Sequence, residues 1–103
     1  MKKHQLNEDS NAKTIQVARG DTIELTLDES PTTGYRWEVA ELDTQQIQLV
    51  EQHYTPHQEA GVGGGVARTY HLKVLDKGPG QISLENRQRW DGDVYKTFSI
   101  RYE

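Results

Sequence analysis

From Ile15 to Tyr102, apolar side chains recur at every second position in seven separate runs. Ile15 and Val17 open the series, followed by Ile23, Leu25 and Leu27, then by Tyr35, Trp37 and Val39. Ile47 and Leu49 come next, and Val66, Tyr70, Leu72 and Val74 share one parity that Arg68 interrupts. Ile82 with Leu84, and Phe98 with Ile100 and Tyr102, complete it. Successive side chains of a strand point to opposite faces, so this period makes strands with one apolar and one wet face. Strands of that kind pair into antiparallel sheets that bury their apolar faces against each other. The pattern predicts an all-β fold, an antiparallel sandwich or barrel of about seven or eight strands.

Turn residues fall between the runs, as that fold requires. Arg19-Gly20-Asp21, Ser30-Pro31-Thr32-Thr33-Gly34, Lys77-Gly78-Pro79-Gly80 and Asp91-Gly92-Asp93 are turn clusters. Between Ala40 and Gln46 the composition allows one helical turn or two, but no full amphipathic helix fits. The 103 residues suit one domain. Residues 14–103 are expected to form it, with the polar segment 1–13 loose at the start. Only 33% of the residues are hydrophobic, so the core will be small.

Charge and composition remove several classes of partner. Lys and Arg total 12 against 16 Asp and Glu, for a net charge of −4. Phosphate binding needs a concentrated basic face, so nucleic acid is not an expected partner. No apolar run exceeds two residues, so no segment is long enough to span a membrane. Cysteine is absent, which excludes disulfides, thiolate metal sites and a cysteine nucleophile. Met1-Lys2-Lys3-His4 has the positive opening of a signal peptide without the apolar stretch that should follow. The chain is therefore either cytosolic, or periplasmic or secreted with its signal removed. His53 and His57 stand at i, i+4, but Pro56 opposes a helix and no acidic or cysteine partner is spaced to complete a site. No serine sits in a nucleophile elbow. Neither an enzyme nor a metal or cofactor site is expected.

Three loops are richer than a connection demands. In the first, Pro31 fixes φ and Gly34 can take positive φ, so Thr32 and Thr33 sit on a stiff bend that Tyr35 and Trp37 anchor to the core. In the second, Gly61-Val62-Gly63-Gly64-Gly65, four glycines cost about 0.5–1 kcal/mol each to order relative to alanine. Such a backbone can approach another surface closely, and it is no phosphate loop, because no Gly-Lys-Ser/Thr follows. In the third, Arg87, Arg89 and Trp90 stand beside a turn, where a Trp with a neighbouring Arg is a common interface anchor. The plain alternatives are a strand connection, a flexible loop and a core tryptophan flanked by solvated charges.

Taken in order, these loops resemble the chagasin family, immunoglobulin-like protein inhibitors of papain-type cysteine peptidases. That family carries Asn-Pro-Thr-Thr-Gly-Tyr/Phe, then Gly-x-Gly-Gly, then Arg-Pro-Trp near the last strand. Here Ser30 to Tyr35, Gly61 to Gly64 and Gln88-Arg89-Trp90 answer to them, and the likeness covers about residues 14–102. Ser30 stands for the family's Asn. The proline of the third motif is missing, with Gln88 at the arginine position and Arg89 at the proline position, so Arg87 or Arg89 would supply the guanidinium. The resemblance implies a reversible inhibitor, monomeric when free, that blocks a papain-like cysteine peptidase without being cut. The 31–34 loop would cover the catalytic Cys and His, Gly61–Gly65 would line one side of the cleft, and Trp90 with an arginine the other. The alternative is a carbohydrate- or ligand-binding β module with Tyr35, Trp37, Tyr54 and Trp90 as stacking platforms. The shared parity of Tyr35, Trp37 and Val39 weighs against it, because it turns Trp37 toward the core.

Overall fold

The computed structural model describes residues 1–29, 34–56, 66–88 and 90–103. In chain order the elements are β1 (Lys3–Leu6), a 3-10 turn (Glu8–Ser10), β2 (Thr14–Ile15), β3 (Thr22–Glu29) and β4 (Tyr35–Glu41). They continue with β5 (Ile47–Pro56), β6 (Val66–Val74), β7 (Gly80–Gln88) and β8 (Val94–Tyr102). One sheet runs β1-β3-β6-β5 and the other β2-β8-β7-β4. The long strands pair antiparallel, as the alternation requires. The two short N-terminal strands do not, because β1 joins β3 and β2 joins β8 in parallel. The fold is thus an immunoglobulin-like sandwich of two mixed sheets.

The core is the set of in-phase residues. Ile23, Leu25 and Leu27 of β3 face Ile82 and Leu84 of β7 and Phe98, Ile100 and Tyr102 of β8 within one buried cluster. Tyr70, Leu72 and Val74 of β6 belong to it, with Trp37 of β4 and Ile47 of β5. Val17 is also buried, although β2 ends at Ile15; its N–H donates to the Glu103 carbonyl at 2.9 Å. Val39 keeps its parity but not its expected burial. It pairs in register with Leu84, yet it is exposed, because β4 is an edge strand and Val39 lines an open cleft there. The 40–46 stretch makes one turn, in which the Gln46 and Ile47 N–H groups donate to the Asp43 carbonyl at 3.0 and 2.8 Å.

Residues 3–6, within the polar segment expected to be loose, form β1 along β3. Asp21 ties them down. Its carboxylate accepts the Lys2 N–H at 2.9 Å and the Ala18 N–H at 3.0 Å, and lies 2.9 Å from His4 Nε2. The His4 hydrogen bond, followed by the two backbone bonds, lowers the Asp21 pKa from 3.8 to about 2. Among the described residues no helix is long and apolar enough to cross a membrane.

Candidate functional site

The strand register brings together, at one end of the sandwich, the strand residues that flank the three candidate loops. Val66 pairs with both Glu29 and Pro56, so the end of β3, the end of β5 and the start of β6 lie side by side in the first sheet. In the second sheet Tyr35 pairs with Gln88, and Arg87 with Val94, which brings the turn residues 90–93 to the same end. Of the candidate residues, Gly34, Tyr35, Arg87 and Trp90 are described. Pro31, Thr32, Thr33, Gly61, Val62, Gly63, Gly64, Gly65 and Arg89 lie outside the described residues.

Beneath that end sits a buried ion pair. Glu29 continues the inward parity of Ile23, Leu25 and Leu27, and Arg68 that of Tyr70 and Leu72; both are almost fully buried. Arg68 Nε donates to Glu29 Oε1 at 3.2 Å and Nη1 to Gln52 Oε1 at 2.6 Å, with the guanidinium carbon 4.2 Å from the Tyr54 ring centre. Glu29 Oε1 also accepts the Trp37 N–H at 2.6 Å, and the Trp37 indole N–H donates to the Asp28 carbonyl at 2.8 Å. Burying two charges is costly unless their hydrogen bonds are met, and here each is held by several partners. The result clamps both ends of the first loop, Glu29 on one sheet and Trp37 on the other. Tyr70 O–H donates to the Trp37 carbonyl at 3.3 Å, and burial raises its pKa above the ordinary tyrosine value. Arg68 opens onto a cleft of about 450 Å³ between the free edges of β4 and β5.

Gly34 and Trp90 join the first loop to the third. Gly34 is buried with φ at +81°, and a Cβ there would lie 2.8 Å from Trp90 Cζ3 and 3.0 Å from Cζ2. Only glycine allows both that backbone angle and that approach. The rest of the indole is open, with Trp90 68% exposed, so the core-tryptophan alternative does not hold. With its amide oriented to suit its neighbours, Gln88 accepts from Trp90 Nε1 at 3.1 Å and donates to Asp91 at 3.0 Å.

Arg87 braces the same turn from below. Its Nη1 donates to the Gly92 carbonyl at 2.7 Å, its Nη2 pairs with Glu85, and its Nε lies 3.8 Å from Glu38. Backbone bonds from Gly92 to Gln88 (3.0 Å) and from Gln88 to Asp93 (2.8 Å) close the loop. Tyr35 packs against Tyr95 with ring centres 5.5 Å apart. Sequence reasoning did not single out Tyr95, yet with Trp90 and Val94 it makes the loop end an exposed apolar surface. Its place two residues after the Asp91-Gly92-Asp93 turn was the available signal. An exposed, partly aromatic surface of this kind is suited to recognition rather than to chemistry.

Comparison with known proteins agrees. The model of the chagasin family peptidase inhibitor I42 matches residues 16–102. Amoebiasin-1 of Entamoeba histolytica is 33% identical over 101 residues, covering 93% of this chain and 94% of that protein. Chagasin of Trypanosoma cruzi is 28% identical over 93 residues, covering 86% of this chain and 84% of that protein. The crystal structure of the cysteine protease inhibitor EhICP2 from Entamoeba histolytica superposes with a TM-score of 0.88 at 26% identity, covering 99% of this chain and 95% of that one.

Proposed function

The chain belongs to the chagasin family of peptidase inhibitors, proteins that inhibit rather than catalyse, and on that premise we propose that it blocks papain-like cysteine peptidases by filling their active-site cleft with three loops. Residues 31–34 cover the catalytic Cys and His of the target. Gly61–Gly65 meet one wall of the cleft through their backbone, and Trp90 meets the other. Arg87, already engaged with Gly92 and Glu85, acts by holding the turn, which leaves Arg89 to offer its guanidinium to the peptidase. One monomer binds one enzyme. The observation that carries this reading is the packing of the Trp90 indole against Gly34, because it holds an exposed aromatic ring beside the end of the first loop. An anchor held in place before binding loses little entropy on docking, and peptidase–inhibitor interfaces are among the tightest of their size.

The mechanism is occlusion, and it leaves the inhibitor intact. Titrating papain with the purified protein should remove activity in proportion to inhibitor added, up to equivalence. Mass spectrometry after long incubation should then find the chain unbroken. Absence of inhibition at micromolar protein would overturn the reading, and rapid cleavage between Pro31 and Tyr35 would replace occlusion with substrate behaviour.

A further inference from the structure

We propose that Glu51, His53 and His71 form a site for a divalent transition-metal ion, of the zinc, copper or nickel kind, on the outer face of the β5–β6 pair. The site is independent of peptidase binding. A bulge creates it. Leu49 pairs with Leu72 and Glu51 with His71, so Val50 is looped out of the register. That extra residue inverts the parity of β5. Gln52 and Tyr54 turn inward, toward Arg68, and Glu51 and His53 turn outward.

On that face Glu51 stands directly across from His71, and His53 stands two residues further along the same strand. The imidazoles of His53 and His71 stack with centres 5.2 Å apart. One ligand atom from each of the three side chains lies within 4.8 Å of the others. A tetrahedral zinc with bonds near 2.0–2.1 Å needs its ligands about 3.3 Å apart. Glu51 is well exposed, so small side-chain rotations close the difference.

The surroundings also fit a metal-bound imidazole. His71 Nε2 lies 3.9 Å from Glu51 Oε1, while His71 Nδ1 faces Glu24 Oε2 at 3.7 Å. One ring nitrogen thus turns toward the ligand cluster and the other toward a carboxylate, the arrangement that orients histidine ligands in metal proteins. Lys3, 3.0 Å from Glu24, keeps that carboxylate ionised. Two imidazoles and one carboxylate select late first-row divalent ions over calcium or magnesium, which prefer all-oxygen sites. Bound there, the ion would pin β5 to β6 across the bulge.

The test is calorimetric titration of the full, tag-free chain with zinc chloride, beside His53→Gln and His71→Gln. The wild-type protein should bind one ion per chain, and each variant should lose affinity by roughly tenfold or more. Zinc should raise the unfolding midpoint of the wild type and leave that of the double variant in place. Nickel added to the isotopically labelled wild type should broaden amide signals around His53 and His71 first, a readout that needs no variant. No binding, unchanged binding in the double variant, or broadening centred on His4 and Asp21 would each overturn the assignment.

Discussion

The indole of Trp90 packs against Gly34, two residues 56 positions apart in the chain that meet where a Cβ on Gly34 would stand 2.8 Å from Cζ3 of the ring. A positive φ at 34 makes the contact possible, and the contact holds a large apolar ring at the surface. Gly34 therefore supports the exposed indole from below.

Trp90→Ala should separate binding from stability. An anchor of this type is worth about 2 kcal/mol on truncation, near a 30-fold loss of affinity for papain. Because the ring is mostly exposed, the unfolding midpoint should shift by no more than about ±0.5 kcal/mol in equivalent stability. Gly34→Ala should do both kinds of damage. Positive φ costs a non-glycine residue about 1–2 kcal/mol, and the new methyl displaces the indole. A Trp90→Ala variant that inhibits normally would remove the third loop from the mechanism.

Thr32 and Thr33 stand outside the alternating pattern, between a clamped Glu29 and a clamped Trp37. Replacing both with alanine should weaken inhibition while stability stays within about ±0.5 kcal/mol. The inhibition constant and the denaturation midpoint of one preparation check it. Unfolding of the variant, with affinity kept in its folded fraction, would make the loop structural.

The buried pair under the loops predicts a non-additive double substitution. Arg68→Met leaves Glu29 charged and unpaired in the interior, at a cost of about 3–5 kcal/mol. Adding Glu29→Gln removes that charge and keeps a side-chain oxygen for the Trp37 N–H. The double variant should therefore be more stable than Arg68→Met alone, by denaturant midpoints read as a double-mutant cycle. Strict additivity would mean that the two side chains do not act as a pair.

How much of this was legible before the structure depends on where side-chain parity holds. All seven alternating runs became strand or core, because strict alternation over a few residues has no other way to bury its apolar face. The strand β1 was missed, since four mostly polar residues carry no period and their parallel partner lies sixteen or more residues on. Arg68 read as an interruption, yet it and Glu29 keep the inward phase; what the sequence lacks is any sign that the two meet. The bulge at Val50 is equally silent. It turns His53 out to His71 and Tyr54 in to Arg68, whereas simple alternation from Ile47 and Leu49 would do the reverse. The breaks between strands were legible from Pro and Gly, but the contact of Gly34 with Trp90 depends on how two sheets close over each other.

Acid should loosen the N-terminal strand through Asp21. The folded-state pKa of Asp21 is lowered from 3.8 to about 2, first by the hydrogen bond to His4 and then by the Lys2 and Ala18 N–H groups. A depressed carboxylate binds fewer protons folded than unfolded, so its stabilisation is complete above the unfolded value and fades as pH falls through the folded one. The window therefore runs from just above pH 3.8 down to about pH 2. Asp21→Asn cannot titrate there. Its stability deficit against the wild type should be largest above that window and should shrink steadily across it. His4→Gln should narrow the window, because it removes the largest cause of the shift while leaving the two backbone bonds. Urea midpoints at several pH values from about 5 to 2 check both variants. Parallel pH curves for Asp21→Asn and the wild type would mean that the carboxylate does not contribute through its charge, and that β1 is held to β3 by its backbone ladder alone.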